Sequence, residues 1–142
     1  MKRNAEMTLR ARTDYPDGAR EDMSYTAPGT LEEMDGVLRF AYDEPETAGL
    51  GAVRTTLTLA ENGAILTRAG AVRSEFRFAE GAPHESLYET AHGGFPARVT
   101  TKRLRMKKDA RGALVELRYA LELGGVTGEH RLKLLIRTED ET

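Results

Sequence analysis

Apolar and polar residues alternate along most of the chain, and the alternation is clearest around residues 50–78. Val53, Leu57 and Leu59 fall on one side of an extended segment there, whereas Arg54 and Thr58 fall on the other. Because successive side chains of a β-strand point to opposite faces, this pattern predicts a strand with one face buried. The same period of two recurs in further segments, whose predicted inward residues include Met7, Leu9, Tyr25, Phe40, Phe76, Leu117, Leu134 and Ile136.

Short turn signals separate these segments. Asp35-Gly36, Asn62-Gly63 and Gly124-Gly125 are typical of tight hairpin turns, and Pro28-Gly29 predicts a bend or bulge inside the second strand. Sequential tight turns favour pairing between chain neighbours, and a long meander leaves two exposed edges unless it closes on itself. We therefore predict an all-β fold, an antiparallel up-and-down barrel of about eight to ten strands.

The Asn62-Gly63 turn also predicts which residues face each other. If that pair is the two-residue loop, Leu59 lies opposite Leu66 and Leu57 lies opposite Arg68. Directly opposed residues share a face of the sheet, so Arg68 is predicted to project into the barrel. Two alternatives stay open: a bulge that turns Arg68 outward, or a structural arginine bonded to backbone carbonyls.

An arginine inside a barrel needs a partner or water, because an isolated buried charge is very costly. Glu44 is a candidate partner, because it shares an inward face with Phe40 and Tyr42. The predicted register nevertheless separates Glu44 from Arg68 by about 20 Å of barrel height, at roughly 3.3 Å per residue. We therefore expect Arg68 to meet Tyr119, a threonine hydroxyl, water or an anionic ligand instead of Glu44.

Composition narrows the class of protein. The chain has 142 residues, which suit one domain over residues 1–142 with a short frayed N-terminus and a polar C-terminal tail. Its 39% hydrophobic and 31% charged residues are typical of strands with one face buried and one face in water. A formal net charge of −2 does not indicate a nucleic-acid or membrane partner. It has no cysteine, no apolar leader and no run of about 18 apolar residues, which favours a cytoplasmic protein.

The segments LRFAYDE, RTTLTL and LTRAGAVRSEFRF, with the Gly93-Gly94 loop after them, resemble the YwiB-like family of uncharacterised bacterial proteins. The likeness runs from about residue 36 to residue 119 and is carried by Tyr42-x-Glu44, Arg68-x-Gly70 and Tyr88-x-Thr90. The resemblance implies a calycin-type barrel, related to the lipocalins. It implies no activity, ligand, cofactor or catalytic residue.

The leading hypothesis is a small-molecule binding protein with its ligand in the barrel lumen or mouth. A mostly apolar pocket needs a few polar groups to orient a ligand. The candidate ligand-binding residues are Arg68, Tyr42, Tyr88, Tyr119 and His92, the last in a flexible His-Gly-Gly loop. No catalytic residue, metal ligand or cofactor is assigned, because nucleophile motifs, phosphate loops and metal-binding spacings of the three histidines are absent.

Two other classes stay open. A filled barrel would be a structural or protein-interaction module, with a homodimer or partner patch on its outer wall. Weak nucleic-acid binding would use the basic strand at residues 98–111, where Arg103, Arg105 and Lys107 share a face. Few aromatic residues interleave that strand, and charged residues also protect sheet edges, so nucleic acid is the less favoured partner. An enzyme is the least supported class.

Overall fold

The computed structural model describes residues 2–139 and shows ten antiparallel strands in one sheet. A short 3-10 turn at Glu46–Ala48 interrupts the loop between the third and fourth strands. β1 begins at Lys2, where we expected a frayed N-terminus, and residues 140–142 of the expected polar tail lie outside the described part. The strands are β1 (Lys2–Asp14), β2 (Arg20–Met34), β3 (Val37–Asp43), β4 (Val53–Ala60), β5 (Gly63–Gly70), β6 (Ser74–Phe78), β7 (Pro83–Thr90), β8 (Gly93–Asp109), β9 (Gly112–Leu123) and β10 (Val126–Thr138).

Every strand pairs with its chain neighbours except at one place, the junction of β6 and β7. The order around the sheet is β6-β5-β4-β3-β2-β1-β10-β9-β8-β7, so β1 and β10 join the two ends of the chain. β6 and β7 meet through a single bridge, in which Arg73 and Glu89 exchange two backbone hydrogen bonds of 2.9 Å. The predicted antiparallel up-and-down barrel is confirmed, with ten strands and one weakly paired seam.

The Asp35-Gly36 turn between β2 and β3 forms as predicted, whereas the central turn between β4 and β5 forms one residue earlier than predicted. Asp35 and Gly36 both have positive φ, at 52° and 79°, which is the backbone of a type I′ turn. In the central hairpin Ala60 pairs with Gly63, so the loop is Glu61 and Asn62 and the predicted Asn62-Gly63 loop is wrong by one residue. Gly63 serves another purpose, because a Cβ there would lie 2.6 Å from the Phe78 carbonyl oxygen of the neighbouring strand.

The bulge predicted at Pro28-Gly29 is absent, because β2 pairs with β1 in unbroken register through both residues. β2 runs without a break from Arg20 to Met34, and the ladder between β2 and β3 begins only at Gly29. Pro28 therefore lies where β2 lacks a neighbour on that side, a place where a missing N–H is tolerated. Gly29 lies under an aromatic ring, since a Cβ would be 2.6 Å from Cζ of Phe40.

The inward side chains divide the barrel into two ends. The buried residues of the packed end are apolar, and Phe40, Leu59 and Ile136 there are at most 1% exposed. The open end, toward the β1–β2 turn and the β3–β4 loop, holds polar residues on the same inner face. Within residues 2–139, no helix is long and apolar enough to cross a membrane. The packed end is formed by Ala5, Leu31, Leu38, Phe40, Leu59, Ala113 and Ile136, and the open end by Tyr25, Tyr42, Glu44, Arg68, Tyr119 and His130.

Candidate functional site

A cavity of about 360 Å³ occupies the interior toward the open end. Most of its lining residues are apolar, with leucine the commonest, and they come from every strand except β8, so most of the surface that a guest would touch is apolar. Met23, 37% exposed, and Glu21 lie at its rim. The volume is within the range of small-molecule sites, roughly 300–1,000 Å³. The barrel is therefore not packed throughout.

Arg68 lines this cavity, as predicted, although the register that led to the prediction was wrong. Arg68 lies opposite Thr55, and Leu57 lies opposite Leu66. Moving the turn by one residue shifts each cross-strand partner by two, and a shift of two leaves every side chain on its original face. The alternative of an outward Arg68 is excluded by its position in the cavity wall.

Glu44 is the charged neighbour of Arg68, which corrects our expectation that the two lie far apart. The Glu44 amide donates to the carbonyl of Val53, two residues from Thr55. Because Arg68 lies opposite Thr55, the two charged residues differ by only two residues in height along the barrel. Arg68 Nε lies 3.8 Å from Glu44 Oε2. The Glu44 side chain is 1% exposed and that of Arg68 is 21% exposed, so the ion pair lies at the inner edge of the cavity.

Three hydroxyl groups surround the Glu44 carboxylate. Thr55 Oγ1 donates to Glu44 Oε2 at 2.5 Å, and Tyr42 Oη donates to the same oxygen at 3.2 Å. Tyr25 Oη donates to Glu44 Oε1 at 3.0 Å and lies 3.2 Å from Tyr42 Oη. Hydrogen bonds of this kind satisfy the oxygens of a buried carboxylate without a hydrogen bond from arginine. We call Tyr25, Tyr42, Glu44, Thr55 and Arg68 the carboxylate cluster.

Burial keeps the phenols of this cluster protonated. Burial is the largest cause that raises the pKa of Tyr25 to about 12, with the Glu44 charge adding to it. The pKa of Tyr42 is also well above its ordinary value, first through burial and then through the neighbouring Tyr25 and Glu44. Both side chains therefore act as hydrogen-bond donors near neutral pH and not as bases.

The guanidinium of Arg68 has unused donors. Its Nε is buried and makes no hydrogen bond with residues 2–139, and neither terminal nitrogen is hydrogen-bonded to that part of the chain. A guanidinium carries five N–H donors, and buried polar groups in proteins are normally hydrogen-bonded. Arg68 is thus balanced in charge by Glu44 but is free to donate to a guest in the cavity.

Arg68 also borders the seam between β6 and β7. A groove of about 410 Å³ there is lined by Arg68, Ser74 and Ser86 among others. Ser74 Oγ and Ser86 Oγ are buried and have no hydrogen-bond partner in the described residues. Arg68 therefore borders two adjacent openings, the cavity and the groove. The two serine hydroxyl groups beside it in the groove have no hydrogen-bond partner in the described residues.

Tyr119 and His130 form the opposite side of the open end. They are directly paired on β9 and β10, and their rings stack with centroids 4.9 Å apart. Burial raises the pKa of Tyr119 to about 12, and the Arg68 charge opposes this. Burial also lowers the pKa of His130, whose Nδ1 lies 3.0 Å from Thr13 Oγ1, so the imidazole is neutral at neutral pH.

The remaining predicted residues separate. Tyr88 lines the cavity and stacks on Phe76 with ring centroids 6.3 Å apart. His92 does not reach it: the residue is exposed in the β7–β8 turn, where its amide donates to Thr90 Oγ1 at 3.1 Å. The structure therefore brings together Arg68, Tyr42, Tyr88 and Tyr119 and leaves His92 outside. Within residues 2–139, no group of three or more His, Asp or Glu side chains could hold a metal ion.

Sequence reasoning missed Tyr25, Thr55, His130 and the role of Glu44. Tyr25 and Thr55 were visible as inward positions of alternating strands. Their contact depends on how β2, β3 and β4 are staggered, which the pattern of one strand does not contain. The one usable signal was the shared face of Tyr42 and Glu44. The misplaced central turn and the mispredicted stagger across the β3–β4 loop together hid it.

Comparisons with known proteins agree with this fold. A family model described as a domain of unknown function, DUF1934, matches residues 7–134. The uncharacterized β-barrel protein YwiB of Bacillus subtilis (strain 168) is 24% identical over 143 residues, covering 100% of this chain and 99% of YwiB. The crystal structure of that organism's ywiB protein matches with a TM-score of 0.86 at 19% identity, over 98% of this chain and 94% of that chain. The resemblance to the YwiB-like family is confirmed, and at this identity the structural likeness extends to the fold alone.

Proposed function

The chain belongs to the DUF1934 family, whose description assigns no activity, and we propose that it binds a small, largely apolar molecule inside its barrel. The observation that carries this proposal is the pairing of an apolar cavity with Arg68, whose donors are unused. An apolar wall favours the body of a guest through burial, and a few polar groups orient it.

The chemistry of Arg68 narrows the guest to one that carries a hydrogen-bond acceptor, such as a carboxylate. Guanidinium groups bind planar carboxylates through two parallel N–H donors. Glu44 cannot satisfy that role, because its nearest oxygen is 3.8 Å from Arg68 Nε and already accepts from Thr55 and Tyr42. Tyr88 and Tyr119 add hydroxyl groups to the same wall and would orient the rest of the guest.

A matched pair of probes tests the proposal: decanoate, and 1-decanol as the uncharged equivalent. The midpoint of thermal unfolding should rise with both probes, since each buries its chain, and should rise further with decanoate. Arg68→Met should remove the preference for decanoate and leave the shift with decanol. Arg54→Met, which removes an exposed arginine from the neighbouring strand β4, is the control and should change neither shift.

Failure of both probes to raise the midpoint, at concentrations below their solubility limits, would contradict lumen binding. Equal shifts with the two probes in the unmodified protein would contradict the role of Arg68. A filled-barrel interaction module finds no support in an interior with a cavity of this size. The cytoplasmic location, the homodimer and the relationship to calycins stay predictions, because neither the fold nor the family tests them.

A further inference from the structure

Four arginines form a row across the outer wall of the barrel. Arg12 of β1 lies directly opposite Arg131 of β10, and Arg131 lies opposite Arg118 of β9. Arg118 in turn lies opposite Arg103 of β8. Neighbouring strands are about 4.8 Å apart, so the row spans roughly 14 Å. No single strand of the sequence shows this row, since each strand contributes one residue to it.

A second row adds more positive charge two residues along the strands. Arg10 lies opposite Lys133, which lies opposite Glu116. The two rows border a surface groove of about 560 Å³ whose outward side chains are all charged. Six are cations and two are carboxylates, which gives a net charge of +4 on a chain whose formal net charge is −2. We call this surface the arginine face: Arg10, Arg12, Asp22, Arg103, Glu116, Arg118, Arg131 and Lys133.

Much of this charge is not neutralised by the protein. Arg12 pairs with Asp14 at 3.3 Å, and Arg118 pairs with Glu129 at 3.4 Å. Glu129 is shared, because Lys102 contacts it at 2.8 Å. No carboxylate of the described chain forms an ion pair with the four remaining cations, Arg10, Arg103, Arg131 and Lys133. Like charges directly opposite each other destabilise a sheet, so an anion bound across the rows would relieve a cost already present in the fold.

We propose that the arginine face binds the phosphate backbone of a nucleic-acid duplex without reading its sequence. Five of its six cations are arginines, whose planar guanidinium groups suit phosphate oxygens. The face has no aromatic side chain on which unpaired bases could stack, which disfavours single strands. It has no outward apolar side chain to insert between lipids, which disfavours a membrane surface.

This surface differs from the basic strand at residues 98–111 that the sequence indicated. The charges of that strand divide into two groups. Arg98 contacts Glu85 at 3.9 Å, Lys102 contacts Glu129 at 2.8 Å and Lys108 donates to the Gly36 carbonyl oxygen at 2.9 Å, whereas Arg103, Arg105 and Lys107 form no ion pair within the described residues. Arg103 is the part of that strand that joins the row. The binding surface therefore runs across β1, β10, β9 and β8 and not along β8.

The test measures affinity for a short fluorescein-labelled RNA duplex and a DNA duplex by anisotropy, from about 50 to 200 mM salt. With about four phosphate contacts, the logarithm of affinity should fall with the logarithm of salt with a slope of about −3.6. Arg103→Gln with Arg131→Gln should weaken binding about tenfold or more and reduce the slope by about 2. Glu116→Gln should strengthen binding, because it removes a carboxylate that lies between Lys133 of β10 and Arg105 of β8.

The control is Arg54→Gln with Arg77→Gln, which removes the same charge from paired, exposed arginines on β4 and β6. It should leave affinity and slope unchanged. The midpoint of thermal unfolding is measured for every variant to show that it is folded. The variant with Arg103→Gln and Arg131→Gln should be at least as stable as the unmodified protein. The proposal is overturned if no duplex binds at the lowest salt, if the control weakens binding equally, or if vesicles with phosphatidylserine bind while duplexes do not.

Discussion

The two ends of the barrel are built by the same ten strands, yet they solve different problems. At the packed end the buried inward side chains are apolar, and Phe40 and Ile136 are at most 1% exposed. At the open end the same strands turn a carboxylate and a guanidinium inward, 3.8 Å apart beside a cavity of about 360 Å³. The difference shows that an alternating pattern selects which residues face the interior and does not select whether that interior is filled.

Stability at the two ends has different sources. Tight apolar packing stabilises the packed end, where loss of a side chain leaves a void that neighbours cannot fill. At the open end, burial of Glu44 is tolerated because three hydroxyl groups donate to it. Buried polar groups of this kind are costly unless they are satisfied. The packed end therefore holds the sheet together, and the open end is where a ligand can be accommodated.

The largest expected effect comes from removing a phenyl ring at the packed end. Phe40→Ala should lower the free energy of unfolding by about 3–5 kcal/mol, because the void stays closed to water. The matched change Phe76→Ala removes the same ring from the cavity wall and should cost at least about 1 kcal/mol less, since the new space joins an existing cavity. Chemical denaturation measures both. Equal costs would show that the two ends are packed alike.

A smaller loss should follow when the charged pair at the open end is broken. Glu44→Ala should cost about 2–4 kcal/mol, below the upper range for buried pairs because 21% of the Arg68 side chain is exposed. Adding Arg68→Met should recover part of this loss, because the unpaired charge is then gone. The double-mutant cycle should give a coupling above about 1 kcal/mol, whereas additivity within about 0.5 kcal/mol would show two independent side chains.

The smallest effect concerns pH. Burial holds the pKa of His130 below its ordinary value of 6.5, so the unfolded chain takes up a proton before the folded one does. Stability should therefore fall as pH drops through about 6.5 toward the folded pKa, and His130→Gln should flatten that slope. The exposed His92→Gln is the control and should leave the slope unchanged. Denaturation midpoints at several pH values measure it, and a parallel slope in His130→Gln would contradict the assignment.

Glu129, next to His130, affects stability in a different pH range. Hydrogen bonding from Lys102 is the largest cause that lowers the pKa of Glu129 below its ordinary 4.5. A carboxylate with a lowered pKa contributes stability that is present above 4.5 and is lost as pH falls below it. The contributions of Glu129 and His130 to the pH profile therefore fall in separate ranges.

The sequence by itself determined the architecture and the face of each strand. A period of two over many short segments cannot be read as helix, and together with the tight turns between those segments it led to the barrel. It also placed Arg68, Tyr42 and Tyr119 inside, and this survived the misplaced central turn because a shift of two residues keeps every side chain on its face. Apolar inward positions such as Phe40 and Ile136 needed no knowledge of their neighbours.

Only the tertiary structure decided which residues meet. The contact between Glu44 and Arg68 depends on the stagger of β3, β4 and β5, and errors at two connections, the β3–β4 loop and the central turn, together moved it out of reach on paper. The row from Arg12 to Arg103 likewise requires the pairing of β1 with β10, two strands from opposite ends of the chain. Alternation is local and is written in neighbouring residues, whereas cross-strand register is set by turns and by packing of the whole sheet, which no single segment encodes.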